Sequence, residues 1–221
     1  MEMKIVVLAS SVKFGKRCVA GYRMNGGNEF IRLGKGTHCS EISERELVVD
    51  GNMVSVGNII TVDARKLPEE VPQIENYELN KIISIDEKVI SLKKLRELYQ
   101  KMPKTDMIFG NTFCYLTQAE AVKEGRSLLF EEVTDLQMVR GIRDDNGKPY
   151  YKCSFTYNGR PYNRISLTSY DARKMLDQKD DGMLYFPSAF ILFSLPNPFD
   201  PYVINNDKMY KYAAGFVLLT R

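Results

Sequence analysis

The segment KFGKRCVAGY, residues 13–22, decides how the N-terminal part of this chain folds. It follows a short apolar stretch, residues 4–9, that has the composition of a β-strand, and residues 18–23 have that composition too. Gly15 lies between the two stretches and can supply the tight turn of a hairpin. The segment therefore predicts two paired strands joined by a short basic loop.

Positive charge is concentrated at this end of the chain. Residues 1–36 hold seven Lys or Arg residues against two Glu residues, whereas the net charge of the whole chain is only +3. Cationic side chains beside loop amides suit a phosphate group, so these loops are candidate nucleic-acid contacts. The alternative is that the charges only keep an exposed sheet edge soluble. The candidate contacts are Lys13, Lys16, Arg17, Arg32 and Lys35.

Length and composition limit the class of protein. With 221 residues, 44% of them hydrophobic and 27% charged, the chain has the composition of one large or two small globular domains. The N-terminus has no signal-peptide pattern and no apolar run is long enough to span a membrane, so we expect a cytoplasmic protein without membrane contact. The four cysteines are scattered and the chain has one histidine, so we expect no metal site and no cofactor.

Strand-like segments separated by turns occupy both ends of the chain, and residues 91–125 between them change to helical spacing. Each end offers about five strands with a helix, which is the composition of an OB barrel. We therefore expect a mainly β fold with an N-terminal barrel over 1–90, a helical connection over 91–125 and a C-terminal barrel over 126–221. The barrels should pack together, because residues 213–219 are apolar on both faces of the last strand.

A second hairpin is predicted at Asn158-Gly159, a dipeptide typical of two-residue turns. Strict alternation from this turn gives one face the residues Tyr151, Cys153, Phe155, Tyr157, Arg160, Tyr162 and Arg164. Rings that alternate with guanidinium groups suit stacked bases beside a phosphate backbone, so we predict an exposed stacking platform. The alternative is a core face whose arginines reach the rim. The candidate contacts are Tyr157, Arg160, Tyr162 and Arg164.

Several short motifs follow one another along nearly the whole chain. They are GKRCVAG (15–21), FIRL (30–33), QIEN (73–76), FTYNG (155–159), FSLPNPF (193–199) and YKYAAGFV (210–217). Together they resemble the prokaryotic dual OB-fold family, whose members occur near predicted conflict and defence genes. The resemblance implies two OB barrels and recognition of nucleic acid (RNA or single-stranded DNA) or of a nucleotide. It brings no established catalytic residues, and it leaves open the role of the motif residues Gln73, Glu75 and Asn76.

Three functions remain open from the sequence. The first is non-enzymatic recognition of nucleic acid or a nucleotide, and the second is a protein–protein adaptor within a defence complex. The third is an enzyme that uses Cys18, His38 and Cys39, which is the weakest because buried cysteines are usually unreactive. Steep salt dependence of binding would separate the first function from the second.

Overall fold

A computed structural model of the chain describes residues 1–13, 15–86, 88–198 and 201–219. Phe14, in the segment KFGKRCVAGY, and Phe199, at the end of the FSLPNPF motif, lie outside the described residues. None of the helices in these ranges has the length and apolarity that a membrane crossing requires.

Five strands of the N-terminal half close into a barrel. The strands of this half are β1 (Glu2–Lys13), β2 (Lys16–Arg23), β3 (Phe30–Gly34), β4 (Val48–Val49), β5 (Asn52–Met53), β6 (Ile59–Lys66) and β7 (Asn76–Ile85). The barrel order is β1-β2-β3-β7-β6, with β3 and β7 parallel and the other pairs antiparallel. Strands β1 and β2 form the predicted basic hairpin, in which Gly15 has a φ of +74° at the turn and Lys13 pairs with Lys16.

The middle of the chain contributes side chains to the core of the second barrel. It contains α1 (Leu92–Tyr99), β8 (Tyr115–Leu116) and α2 (Gln118–Glu124). Both helices are capped at their N-termini: the Ser91 hydroxyl accepts a hydrogen bond from the Lys94 amide, and Thr117 forms a capping box at α2. Ile108 and Phe109, between the helices, are fully buried in the core of the second barrel. This region is therefore part of that barrel's core as well as a connection.

The C-terminal half closes into a second barrel of the same connectivity. Its elements are β9 (Leu128–Ile142), β10 (Pro149–Tyr157), β11 (Arg160–Leu167), α3 (Tyr170–Asp177), β12 (Met183–Ser194), α4 (Pro201–Asn206), β13 (Met209–Tyr210) and β14 (Tyr212–Leu218). The barrel order is β9-β10-β11-β14-β12, with β11 and β14 parallel, and α3 joins the third strand to the fourth. Two five-stranded barrels of this kind confirm the mainly β, OB-like fold.

The two barrels pack against each other through a buried apolar layer. Val6 and Leu8 of β1 meet Phe130 and Phe190 of the second barrel, with Leu95 of α1 beside them. The rings of Phe130 and Phe190 are stacked with their centroids 5.1 Å apart. Burial of these side chains gives a non-directional attraction between the barrels.

A β-bulge changes the second hairpin from its predicted register. The turn at Asn158-Gly159 forms and the two residue pairs nearest to it match the prediction, but Cys153 pairs with Ile165 rather than with Arg164. Arg164 has a φ of +58° and is the extra residue of the bulge. The extra residue inverts the alternation, so Ile165 turns into the core and Arg164 is exposed.

The predicted exposure of the aromatic face is wrong, because this face is the core of the second barrel. Tyr162 is 0% exposed, Phe155 is 3% exposed and Tyr157 is 5% exposed. The rings of Phe155 and Tyr162 are stacked at a centroid distance of 5.2 Å. The Tyr162 hydroxyl accepts a hydrogen bond from the Ile108 amide at 3.0 Å, which satisfies its polar end. Tyr157 and Tyr162 are therefore packing residues and cannot stack on bases.

We predict that Tyr162→Ala lowers the free energy of unfolding by roughly 3–5 kcal/mol, as truncation of a buried aromatic ring does. The exposed Tyr185 on β12, 61% accessible, is the matched control, and Tyr185→Ala should change stability by less than about 0.5 kcal/mol. Urea denaturation of both variants measures the difference. Equal stability of the two variants would contradict the assignment of Tyr162 to the core.

Glu131 on β9 is a fully buried carboxyl group. Its Oε2 accepts a hydrogen bond from the Tyr99 hydroxyl of α1 at 2.9 Å, so it joins that helix to the second barrel. Burial raises the pKa of Glu131 above its usual 4.5, because the charged form loses its hydration.

We predict that Glu131→Gln increases the free energy of unfolding by an amount that grows with pH. Because the folded-state pKa is raised, the stability that this acid contributes is complete below pH 4.5 and is lost as the pH rises through the folded pKa. Glutamine keeps an oxygen acceptor for Tyr99 and does not ionise. Urea titrations of both proteins between about pH 4 and pH 8 measure the difference. A stability difference that stays constant over this pH interval would contradict the raised pKa of Glu131 as its cause.

Candidate ligand cleft between the barrels

The cations of the basic N-terminal segments are largely neutralised within the protein. Arg17 is buried, its guanidinium group lies 2.7 Å from the Glu44 carboxylate, and it also stacks on the ring of Tyr170 at 3.2 Å. The Lys35 ammonium group lies 2.9 Å from the Glu46 carboxylate. The predicted phosphate contacts Arg17 and Lys35 therefore do not form a free cationic surface.

Two other candidates of this group have different positions. Lys16 is exposed at the start of β2, and no ion pair to it forms within the described ranges. Lys13 is the last residue of β1, and its side chain lies outside the described part of the chain. Lys16 thus stays a surface candidate, separate from the site described below.

The QIEN motif, whose role the sequence left open, joins the two barrels. Glu75 is 6% exposed, and its carboxylate accepts hydrogen bonds from the Ser127 amide at 2.9 Å, the Ser127 hydroxyl at 2.8 Å and the Leu128 amide at 3.2 Å. Ser127 and Leu128 begin the second barrel, whereas Glu75 precedes β7 of the first. The Asn76 amide donates to the Gln73 side chain at 3.3 Å, which orders the motif itself.

Arg32 on β3 completes these contacts. Its Nη2 donates to the Ser127 hydroxyl at 2.8 Å, and Nη1 lies 3.4 Å from the Ser194 hydroxyl. The Gln73 amide donates to the Leu195 carbonyl at 3.2 Å. We call Arg32, Gln73, Glu75 and Asn76, with Ser127, Ser194 and Leu195, the inter-barrel polar cluster. The predicted phosphate contact Arg32 thus has a structural role at the barrel junction.

A cleft of about 660 Å³ lies beside this cluster and is lined by both barrels. Its basic side chains come from distant parts of the sequence: Arg32, Arg143, Arg173 and Lys208. Glu41 is the one carboxylate among the described residues that line it. The polar and aromatic lining includes Thr168, Asn197, Tyr210 and Tyr212. The cleft is therefore the place where basic side chains of the two barrels converge, and we call it the inter-barrel cleft.

The surrounding structure positions each cation of the second barrel. The Arg173 Nε on α3 donates to the Leu167 carbonyl at 2.9 Å. The Lys208 ammonium group lies 4.9 Å above the ring of Tyr115. Arg143, in the loop after β9, is exposed, and no ion pair to Arg143 or Lys208 forms in the ranges that the structure describes. The charges of these two residues are therefore available to a ligand.

The cleft occupies the position at which OB barrels bind ligands. In such barrels the second and third strands, with the loops between strands one and two and between strands four and five, form the binding surface. In the second barrel, the first of these loops carries Arg143 and the second carries Asn197 and Lys208. Arg143, Arg173 and Lys208 were not predicted, since no local motif in the sequence marks them.

The remaining hairpin candidates lie on the outside of the second barrel. Arg160 is exposed and donates to the Asp106 carbonyl at 2.9 Å. Arg164 is exposed near Lys152, whose pKa is lowered chiefly by burial and also by the guanidinium groups of Arg164 and Arg143. Arg164 therefore belongs to a small basic area next to the cleft, and Arg160 does not reach the cleft lining.

The thiols that the sequence suggested for catalysis also line the cleft, together with His38. The Cys39 Sγ lies 3.7 Å from the Arg32 carbonyl and 3.8 Å from the Tyr77 carbonyl. Burial raises the pKa of Cys39 to about 11, so the thiolate that a nucleophile needs is disfavoured at neutral pH. Among the described residues, no group of three His, Cys, Asp or Glu side chains could hold a metal ion.

Two OB barrels docked around a shared basic cleft define the class of protein as a tandem OB-fold binding module. The chain matches the family model of the dual OB-containing domain over residues 3–216, and it belongs to that family. No curated protein and no solved structure matches the chain.

We predict that Glu75→Ala lowers the free energy of unfolding by about 1–3 kcal/mol or more, because it leaves buried donors of Ser127 and Leu128 without an acceptor. Glu78→Ala is the matched control on β7, since Glu78 forms only a surface ion pair with Arg65 and its removal should cost about 0–1 kcal/mol. Chemical denaturation compares the two variants. Destabilisation of equal size would contradict a structural role for the polar cluster.

Proposed function

We propose that this protein is a non-enzymatic module that recognises nucleic acid or a nucleotide in the inter-barrel cleft. The observation that carries the proposal is the convergence of Arg32, Arg143, Arg173 and Lys208 on one cleft with a single carboxylate among its described lining residues. Such a concentration of positive charge attracts a polyanion and accelerates its association. We extend the proposal to the setting that the resemblance implies, a prokaryotic defence system.

The chemistry of the lining supports a ligand with phosphate groups and a base. Arg143 and Lys208 can each donate to phosphate oxygens, and charge-assisted bonds of this kind are among the stronger ones in proteins. Tyr210 and Tyr212 are half-buried in the lining of the cleft, and tyrosine rings in such positions can contact a planar group. Asn197 and Thr168 add neutral hydrogen-bonding groups. Together these groups match a nucleotide unit.

A binding role without catalysis by Cys39 is supported by the high pKa of this thiol. General acid–base chemistry uses a positioned group whose pKa is close to the working pH. The Cys39 thiol has its pKa raised well above that range, to about 11. The cations of the cleft can stabilise negative charge on a ligand, which is sufficient for recognition.

We predict that the double variant Arg143→Glu with Lys208→Glu weakens binding of nucleic acid or nucleotide by roughly tenfold or more, because two phosphate-binding cations become repulsive to the ligand. The slope of log affinity against log salt concentration should fall by about one unit for each cation that no longer binds a phosphate. Fluorescence anisotropy with single-stranded and duplex DNA and RNA, and with labelled nucleotides, measures both quantities.

The matched control is Lys93→Glu, which reverses an exposed charge on α1 outside the cleft and should leave affinity within about twofold. Lys16→Glu tests the basic hairpin in the same assay, and we expect an equally small effect. Denaturation curves check that the variants are folded. Failure of the parent protein to bind any member of the panel would overturn the proposal and would favour the adaptor function.

A further inference from the structure

The cations of the inter-barrel cleft come from four separate segments. Arg32 lies on β3, Arg143 in the loop after β9, Arg173 on α3 and Lys208 in the loop before β13. They line a single space of about 660 Å³, which lies within the range of roughly 300–1,000 Å³ that small-molecule sites occupy. Positive charge thus surrounds a limited volume and does not follow one strand or one helix.

Arg32, one of the residues that line the cleft, has a hydrogen-bond donor that no described residue accepts. Arg32 places its two terminal nitrogens on Ser127 and Ser194, whereas its buried Nε has no acceptor in the described part of the chain. A buried donor without an acceptor costs free energy, and a ligand oxygen that reaches it would recover that cost. This donor belongs to the first barrel, while Arg143, Arg173 and Lys208 belong to the second.

The two surfaces that the sequence suggested for a polynucleotide strand are occupied by other contacts. The aromatic rings of the second hairpin, Tyr157 and Tyr162, are buried in the core. The basic residues Arg17 and Lys35 are paired with Glu44 and Glu46. Strand binding without sequence preference combines a continuous basic groove with exposed rings for stacking, and these segments supply neither.

We infer that the ligand of the inter-barrel cleft is a compact nucleotide with two or more phosphate groups, held by both barrels at once, and not a polynucleotide strand. The inference rests on the proposed function and specifies its ligand. The phosphate groups face Arg143, Arg173 and Lys208, a ligand oxygen accepts from Arg32, and the base lies beside Tyr210 and Tyr212. Because each barrel contributes donors, the ligand also strengthens the contact between the barrels.

The test compares nucleotides with strands on the intact protein. Isothermal titration uses adenosine and guanosine mono-, di- and triphosphates, inorganic triphosphate, and single-stranded RNA and DNA of increasing length. We expect affinity to rise roughly tenfold or more from mono- to triphosphate, and to show no increase with strand length. Lys208→Glu should weaken triphosphate binding by roughly tenfold, whereas Lys93→Glu, on α1 and outside the cleft lining, should leave it within about twofold.

Other outcomes overturn the inference in distinguishable ways. Affinity that increases with strand length, and that Arg164→Glu weakens, would show that the ligand is a strand and not a compact nucleotide. The proposed function would still stand. Inorganic triphosphate bound as tightly as the nucleoside triphosphates would show that the base is not recognised. An affinity that is the same for mono- and triphosphates would exclude the polyphosphate contact. No binding of any probe would overturn the inference and the proposed function together.

Discussion

The direct contact between β1 and β14 is the constraint on which the arrangement of the barrels depends. A Cβ atom on Gly215 of β14 would lie 2.1 Å from the Leu8 carbonyl oxygen, so no side chain fits between the two strands. Further along β1, the Val12 amide donates to the Thr168 carbonyl at 2.9 Å. Because β1 belongs to the first barrel and β14 to the second, these backbone contacts fix the distance between the barrels. The width of the inter-barrel cleft therefore depends on this distance.

Apolar burial and the inter-barrel polar cluster contribute differently to this junction. The layer around Phe130 and Phe190 attracts the barrels to each other but tolerates small rotations, because burial has no preferred direction. The Glu75 carboxylate accepts hydrogen bonds from three donors of Ser127 and Leu128 at fixed positions, so this contact does have a preferred direction. The same cluster includes Arg32, which lines the cleft. The groups that orient the barrels therefore also determine where one wall of the cleft lies.

Local signals in the sequence were sufficient for the fold and insufficient for the site. The Asn158-Gly159 turn and the caps at Ser91 and Thr117 depend on neighbouring residues, so short patterns predict them. The bulge depends on an arginine, Arg164, at a positive φ, for which the sequence has no marker. Because of this one extra residue, the face of β11 that enters the core after the bulge is the opposite of the predicted one. The cleft depends on residues from β3 to β13 that only the docked barrels bring together, and no spacing rule connects them.

The charge count of the N-terminal segments was misleading because it ignored where counter-charges lie. Arg17 and Lys35 have carboxylate partners within the fold, and each partner offsets the positive charge that the count assigned to these segments. Arg143 and Lys208 have none among the described residues, although they line the same cleft as Arg32 and Arg173. Like charges around one cavity repel each other and lower the stability of the free protein. The four cations are the ligand contacts that we propose for this cleft, and an anion bound among them would reduce this repulsion.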